Sequence, residues 1–133
     1  MESLLPLLLL ISLTSVIGLT LRAKKGVIKK GSRLKILEGE FGGKYGSRLT
    51  ILQFSTTFCS ECRTAKAIVK EVVKDSKDIT YVEVDAESNL DLVRRVDIRS
   101  TPTTIFLDSK GFEIARAKGA PKRDQLIKAI KAI

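Results

Sequence analysis

Cys59 and Cys62 are the only two cysteines in a chain of 133 residues, and two residues, Ser60 and Glu61, separate them. Two thiols at that spacing can exchange with a disulfide. One attacks a foreign sulfur, and the other, a helical turn on, displaces the product from the mixed disulfide. The thiolate is the nucleophile, so the chemistry needs a place where negative charge on sulfur is favoured. The start of a helix is such a place, because its first N–H groups have no intrahelical partner and its dipole is positive there. Thiols so placed titrate at roughly 3.5–7.5, against ~8.5 for a free one.

The charges next to the cysteines act in opposite directions. Arg63 favours the thiolate, whereas Glu61, between the two sulfurs, disfavours it and leans the couple towards reduction. Two other uses of paired cysteines fit poorly. A zinc site needs two more ligands, and the chain has neither histidine nor further cysteine, so only a dimer pooling four thiolates could supply one. A purely structural disulfide would close too small a loop to stabilise much. The absence of histidine also removes every imidazole base, metal ligand and pH switch. No metal is therefore expected, and dithiol exchange as such calls for no cofactor.

The flanking sequence supplies the elements that would position the pair. Residues 49–54 read as a strand, and residues 65–73 carry apolar side chains at Ala65, Ile68, Val69, Val72 and Val73, one stripe of a helix. Residues 79–85 alternate as a second strand. Asn89 can cap a short helix bearing Leu90, Val93 and Val96. Residues 103–107 are a β-branched strand, a turn at 108–111 ends in Gly111, and 112–117 returns antiparallel. After Gly119-Ala120-Pro121 a last helix sets Leu126, Ile127, Ile130 and Ile133 on one face, with Pro121 or Lys122 in its first turn.

Cys59-Ser60-Glu61-Cys62, followed about forty residues later by Thr101-Pro102-Thr103 and then a hairpin and a final helix, resembles the thioredoxin family over residues 49–133. It resembles in particular the small bacterial members that carry an N-terminal membrane anchor. The resemblance implies an α/β thioredoxin fold, a central mixed sheet flanked by helices, in the order βαβαββα. It implies that Cys59 attacks and Cys62 resolves. It implies a cis peptide before Pro102, leaving the backbone of Thr101 free to pair with an extended substrate segment beside Phe58, Ser60 and Glu61. Three positions depart from the family pattern: Phe58 replaces a tryptophan, Gln53 a buried aspartate, and Tyr81 a lysine. Gln53 cannot act as a base, so resolution through Cys62 is expected to be slower than in a full thioredoxin.

Net charge is +9, unevenly spread. Residues 22–35 hold seven basic side chains and no acid, and residues 36–133 carry only a net +3. The excess adjoins an apolar run rather than a domain rich in stacking aromatics, which argues against nucleic acid as a partner. Residues 4–21 carry no charge, and eighteen helical residues span roughly 27 Å, close to the ~30 Å hydrocarbon core. A cleaved secretory signal would want a basic start and a small-residue cleavage site. Here Glu2 precedes the run and Leu21-Arg22 ends it, so a retained single-pass anchor over residues 1–21 is the expectation. Basic residues stay on the cytoplasmic side, which turns the domain inward, and the patch would be drawn to an anionic membrane surface. Residues 22–48, rich in glycine and lysine, read as a linker with a first strand at 33–37.

The expected activity is reduction of protein disulfides by a membrane-tethered oxidoreductase, recharged by a reductase or a membrane electron donor. Two alternatives keep the fold. One is an extracytoplasmic relative serving cytochrome maturation or disulfide exchange; the other is a redox-inactive adaptor.

Overall fold

A computed structural model of the chain describes residues 4–133; Glu2 lies outside the described residues. The chain runs α1 (Leu4–Ala23), β1 (Ile28–Lys30), α2 (Glu38–Phe41), β2 (Leu49–Ser55), α3 (Ser60–Val73), β3 (Ile79–Asp85), α4 (Leu90–Arg95), β4 (Thr103–Asp108), β5 (Glu113–Lys118) and α5 (Arg123–Ala132). From β2 onward this is the expected βαβαββα order.

Five strands form one mixed sheet in the order β1-β5-β4-β2-β3. β2 is parallel to β3 and antiparallel to β4, while β5 is antiparallel to both β4 and β1. Every residue of β2 is buried. Its alternating side chains serve two cores. Leu49 and Ile51 pack with Val69, Val73, Phe106, Leu126 and Ile130 under α3 and α5. Leu52 and Phe54 pack with Ile36, Phe41, Val84, Leu92, Val96, Ile105 and Leu107 on the other face. Full burial of such a side chain contributes ~1.5–3 kcal/mol, and a strand covered on both faces collects this at nearly every position. That rigidity is what β2 transmits to the loop it delivers.

The amino-terminal region departs from its sequence reading. The first strand is β1, at Ile28–Lys30, with Ile28 opposite Ala117 and Lys30 opposite Ala115. Within 33–37, where the strand was expected, only Lys35 bridges, to Phe112. The cause is local: Arg33 takes φ 59°, which breaks the extended run. Backbone bonds nevertheless continue along this edge, from Gly31 N–H to Ile114 O and from Glu113 N–H to Leu34 O. A side chain at Gly31 would press into Glu113 and the Ala115 backbone. Much of the expected linker is thus folded onto the domain, with Ile36 buried and Phe41, the last residue of the short α2, buried beside it in the same core.

Smaller differences lie at helix ends. Asn89 occupies the cap position of α4, but its amide donates to Asp85 O rather than capping. Lys122 precedes the first turn of α5, and Ile133 is exposed beyond its end. α1 is long and apolar enough to cross a membrane, and none of it is buried against the domain.

Candidate active site

β2 ends at Ser55 and the chain turns through Thr56–Phe58 into α3, of which Cys59 is the N-cap residue. Its Sγ accepts a hydrogen bond from Cys62 N–H at 3.1 Å, the third amide of the helix. The positive end of α3 is therefore aimed at this sulfur, as the sequence predicts. Cys59 and Cys62 are joined as a disulfide, with Cα atoms 5.2 Å apart. Cys59 is part-exposed and Cys62 only 3% exposed, so a partner can reach the first sulfur and not the second. Phe58, at 97% exposure, stands out beside Cys59 with nothing packed on it.

The Thr101–Pro102 peptide is cis. Thr101 lies across from the cysteine loop, with its Oγ1 3.4 Å from Thr56 Oγ1. Pro102 is buried, and its carbonyl accepts from Gly119 N–H at 2.8 Å, which ties this loop to the end of β5. Thr101 and Glu61 border one groove of about 310 Å³. The structure therefore brings together Phe58, Cys59, Ser60, Glu61, Cys62, Thr101 and Pro102.

Beneath Cys62 the floor is polar and uncharged. Gln53 is fully buried, and its Nε2 donates to Cys62 O at 2.9 Å and to Ser55 Oγ at 3.0 Å. Tyr81 donates its hydroxyl to Gln53 Oε1 at 3.0 Å, and burial, with the Glu83 carboxylate nearby, pushes that phenol far above its ordinary range. Thr104, directly across the ladder from Gln53, has a buried hydroxyl with no partner. Neither Gln53 nor Tyr81 in that state removes a proton from Cys62.

One neighbour escaped the sequence reading. Lys25 Nζ lies 3.6 Å from Glu61 Oε1, so the acid between the cysteines has a cation beside it. Gly26 N–H donates to Lys118 O at 2.6 Å and holds that lysine's segment in place. The basic run after α1 was visible in the sequence, but nothing linked residue 25 to 61 or 26 to 118. Among the described residues no cluster of His, Cys, Asp or Glu has the make-up of a metal site.

A helix-capping cysteine joined to a buried partner, opposite a cis-proline loop on a mixed sheet, defines a thiol–disulfide oxidoreductase of thioredoxin fold. The thioredoxin family model matches residues 40–132, and the chain belongs to that family. It is similar to thioredoxin H5 of Oryza sativa subsp. japonica, at 34% identity over 77 residues. That match covers 58% of this chain and 56% of the relative, so the chain spans little more than half that protein's length. Thioredoxin of Gallus gallus is 25% identical over 107 residues, covering 80% of this chain and 99% of the relative. Among solved structures, thioredoxin-2, described as a component of the malaria parasite protein secretion machinery, superposes with a TM-score of 0.59 at 28% identity. It covers 65% of this chain and 84% of its own.

Proposed function

We propose that this protein is a membrane-tethered oxidoreductase whose domain faces the cytoplasm and reduces disulfides in other proteins. The observation that carries the tether is α1, twenty residues of which the first eighteen carry no charge, none of it buried. The basic residues that follow, seven between 22 and 35, support retention of the domain on the cytoplasmic side. Only residues 74–78 separate α3 from β3, and this plain connection favours the cytoplasmic reading over extracytoplasmic forms with inserted helices.

In the reduced protein, Cys59 as thiolate attacks one sulfur of the client disulfide. A bond forms between Cys59 and that sulfur, and the other client sulfur leaves as a thiolate. Cys62, having lost its proton to water, attacks Cys59, and the second client thiolate departs. The client gains two electrons and two protons, and Cys59–Cys62 becomes a disulfide. A dithiol donor, from a reductase or a membrane partner, returns the protein to its starting state. Thr101 offers its backbone to the client segment, and Phe58, Ser60, Glu61 and Pro102 shape the surface around it.

Turnover of insulin disulfides by the full chain, with Cys59→Ser as comparison, tests the activity. The variant is expected to lose at least ~99% of the rate, consistent with removal of the nucleophile. No turnover by well-folded, reduced wild type would turn the reading to a binding adaptor. Labelling of Cys59 by an impermeant reagent from outside intact cells would overturn the topology.

A further inference from the structure

The end of the anchor and the mouth of the redox site occupy the same piece of surface. Lys24 N–H donates to Thr20 O and Lys25 N–H to Arg22 O, so helical turns continue past Ala23 without a spacer. Lys25 then meets Glu61, and Gly26 is bonded to Lys118 O. Gly26 has φ +74°, and a side chain there would strike Ala120 O, so the backbones fit closely at this point. Gly119, next to Lys118, holds Pro102 O. Three residues past the anchor, the chain is thus fastened to the segment that carries the cis-proline. The groove beside the site is accordingly lined by Leu21, Lys24 and Lys25 from one side and by Glu61 and Thr101 from the other.

Distance turns this arrangement into a statement about substrates. Twenty helical residues span about 30 Å, so α1 fills the hydrocarbon core and Ala23 lies at its edge. The headgroup layer beyond is about 5–8 Å thick on each side. Two further residues add about 3 Å at the same rise per residue, which keeps the Lys25 backbone within the headgroup layer, and its Nζ ends 3.6 Å from Glu61 Oε1. Lys24, Lys29 and Lys118 border the groove, and anionic headgroups would draw this face down rather than release it. Phe58 presents a bare apolar ring beside Cys59, of the kind that can bury at the boundary of headgroups and acyl chains.

We propose that the site works facing the bilayer, and that its clients are disulfides in polypeptide held at the same membrane surface within about the depth of the headgroups. The inference rests on the tethered reading above. A client bonded far from the bilayer, or free in solution, meets a mouth turned away from it.

The full chain in phosphatidylcholine–phosphatidylglycerol vesicles tests this, with one disulfide peptide fused to a transmembrane helix either directly or on a rigid ~40 Å stalk. Wild type is expected to reduce the near disulfide at least tenfold faster than the far one. Ten Gly/Ser residues inserted between Ala23 and Lys24 should bring that ratio to about one and raise insulin reduction severalfold, which also shows that the variant folds. A ratio near one in wild type overturns the inference. Flotation separates the two levels: a chain that does not float with the vesicles refutes the tether and this inference with it. A chain that floats but shows no distance preference refutes only the inference. Because the chain has no tryptophan, Phe58→Trp adds a second reading. Quenching by lipids labelled near the headgroup is expected, and quenching by aqueous acrylamide alone would overturn the orientation.

Discussion

The two sulfurs of one disulfide lie in surroundings governed by different physics. Around Cys59 the site is open and charged: Glu61 and Lys25 face each other with side chains 52% and 66% exposed. Under Cys62 it is closed and neutral, with Gln53 and Thr104 at 0% exposure. A charge in the first place is screened by water and salt, whereas in the second it would be felt almost in full. Changes to the mouth should therefore alter rates gently and salt-dependently. Changes to the floor should be costly and indifferent to salt.

The largest effect should come where the protein does bury a charge. Glu113, at 0% exposure, pairs with Arg116 Nε at 2.6 Å and accepts from Ser32 Oγ. Arg116 in turn donates to Val96 O at 2.8 Å, joining β5 to the end of α4. Burial alone would raise the Glu113 carboxyl, but the Arg116 and Ser32 hydrogen bonds outweigh it and hold it below its ordinary value. Removing one partner of such a pair leaves an uncompensated charge, so Glu113→Ala should cost about 3 kcal/mol by urea unfolding. The pH dependence has a definite sign. The stabilisation is fully present above the unfolded carboxyl's value of ~4.3 and is lost as pH falls through the lowered folded value. A variant with an unchanged urea midpoint would show that burial does not amplify charge here.

Next comes the floor itself. Gln53→Asp puts a base within reach of Cys62, and decay of the mixed disulfide, followed by quenched gel shift, should quicken about tenfold. The same carboxylate loses the donors that Gln53 gives to Cys62 O and Ser55, so stability should fall by ~2 kcal/mol. Equal decay rates would refute the idea that the missing acid limits resolution. Thr104→Val, close by, removes a buried hydroxyl that has no partner, and should raise stability by ~1 kcal/mol. A loss of that size instead would mean the hydroxyl is satisfied in solution.

The contrast between mouth and floor was only half legible in the sequence. The floor could be read only through the resemblance, which marked Gln53 as standing where the family has a buried acid; strand alternation explains its place, on one face with Leu49 and Ile51 under the helix bearing Cys62. The redox pair was legible because two cysteines one helical turn apart are set locally, whereas the cis bond before Pro102 and its place opposite them followed from the resemblance alone. The mouth depends on contacts across 36 residues, from Lys25 to Glu61, and on a backbone bond from Gly26 to Lys118. Periodicity carries no record of such pairings. The same limit moved the first strand. β1 is fixed by register with β5, and its three residues, Ile28-Lys29-Lys30, hold too little alternation to stand out from a basic linker.

The smallest effect is the one that best separates the two environments. In Lys25→Ala, Glu61 loses the cation 3.6 Å from its carboxylate, so the Cys59 thiolate should be slightly disfavoured. Pairs this exposed are worth below ~1 kcal/mol, which limits the change to a factor of about five in the alkylation rate of reduced Cys59. At ~1 M salt, where the Debye length is about 3 Å, the difference should close, while the effect of Gln53→Asp on resolution should remain. A Lys25→Ala effect that persisted in high salt would place Glu61 in a dry environment. The mouth and the floor would then be governed by the same low dielectric, and the distinction between the two sulfurs would fail.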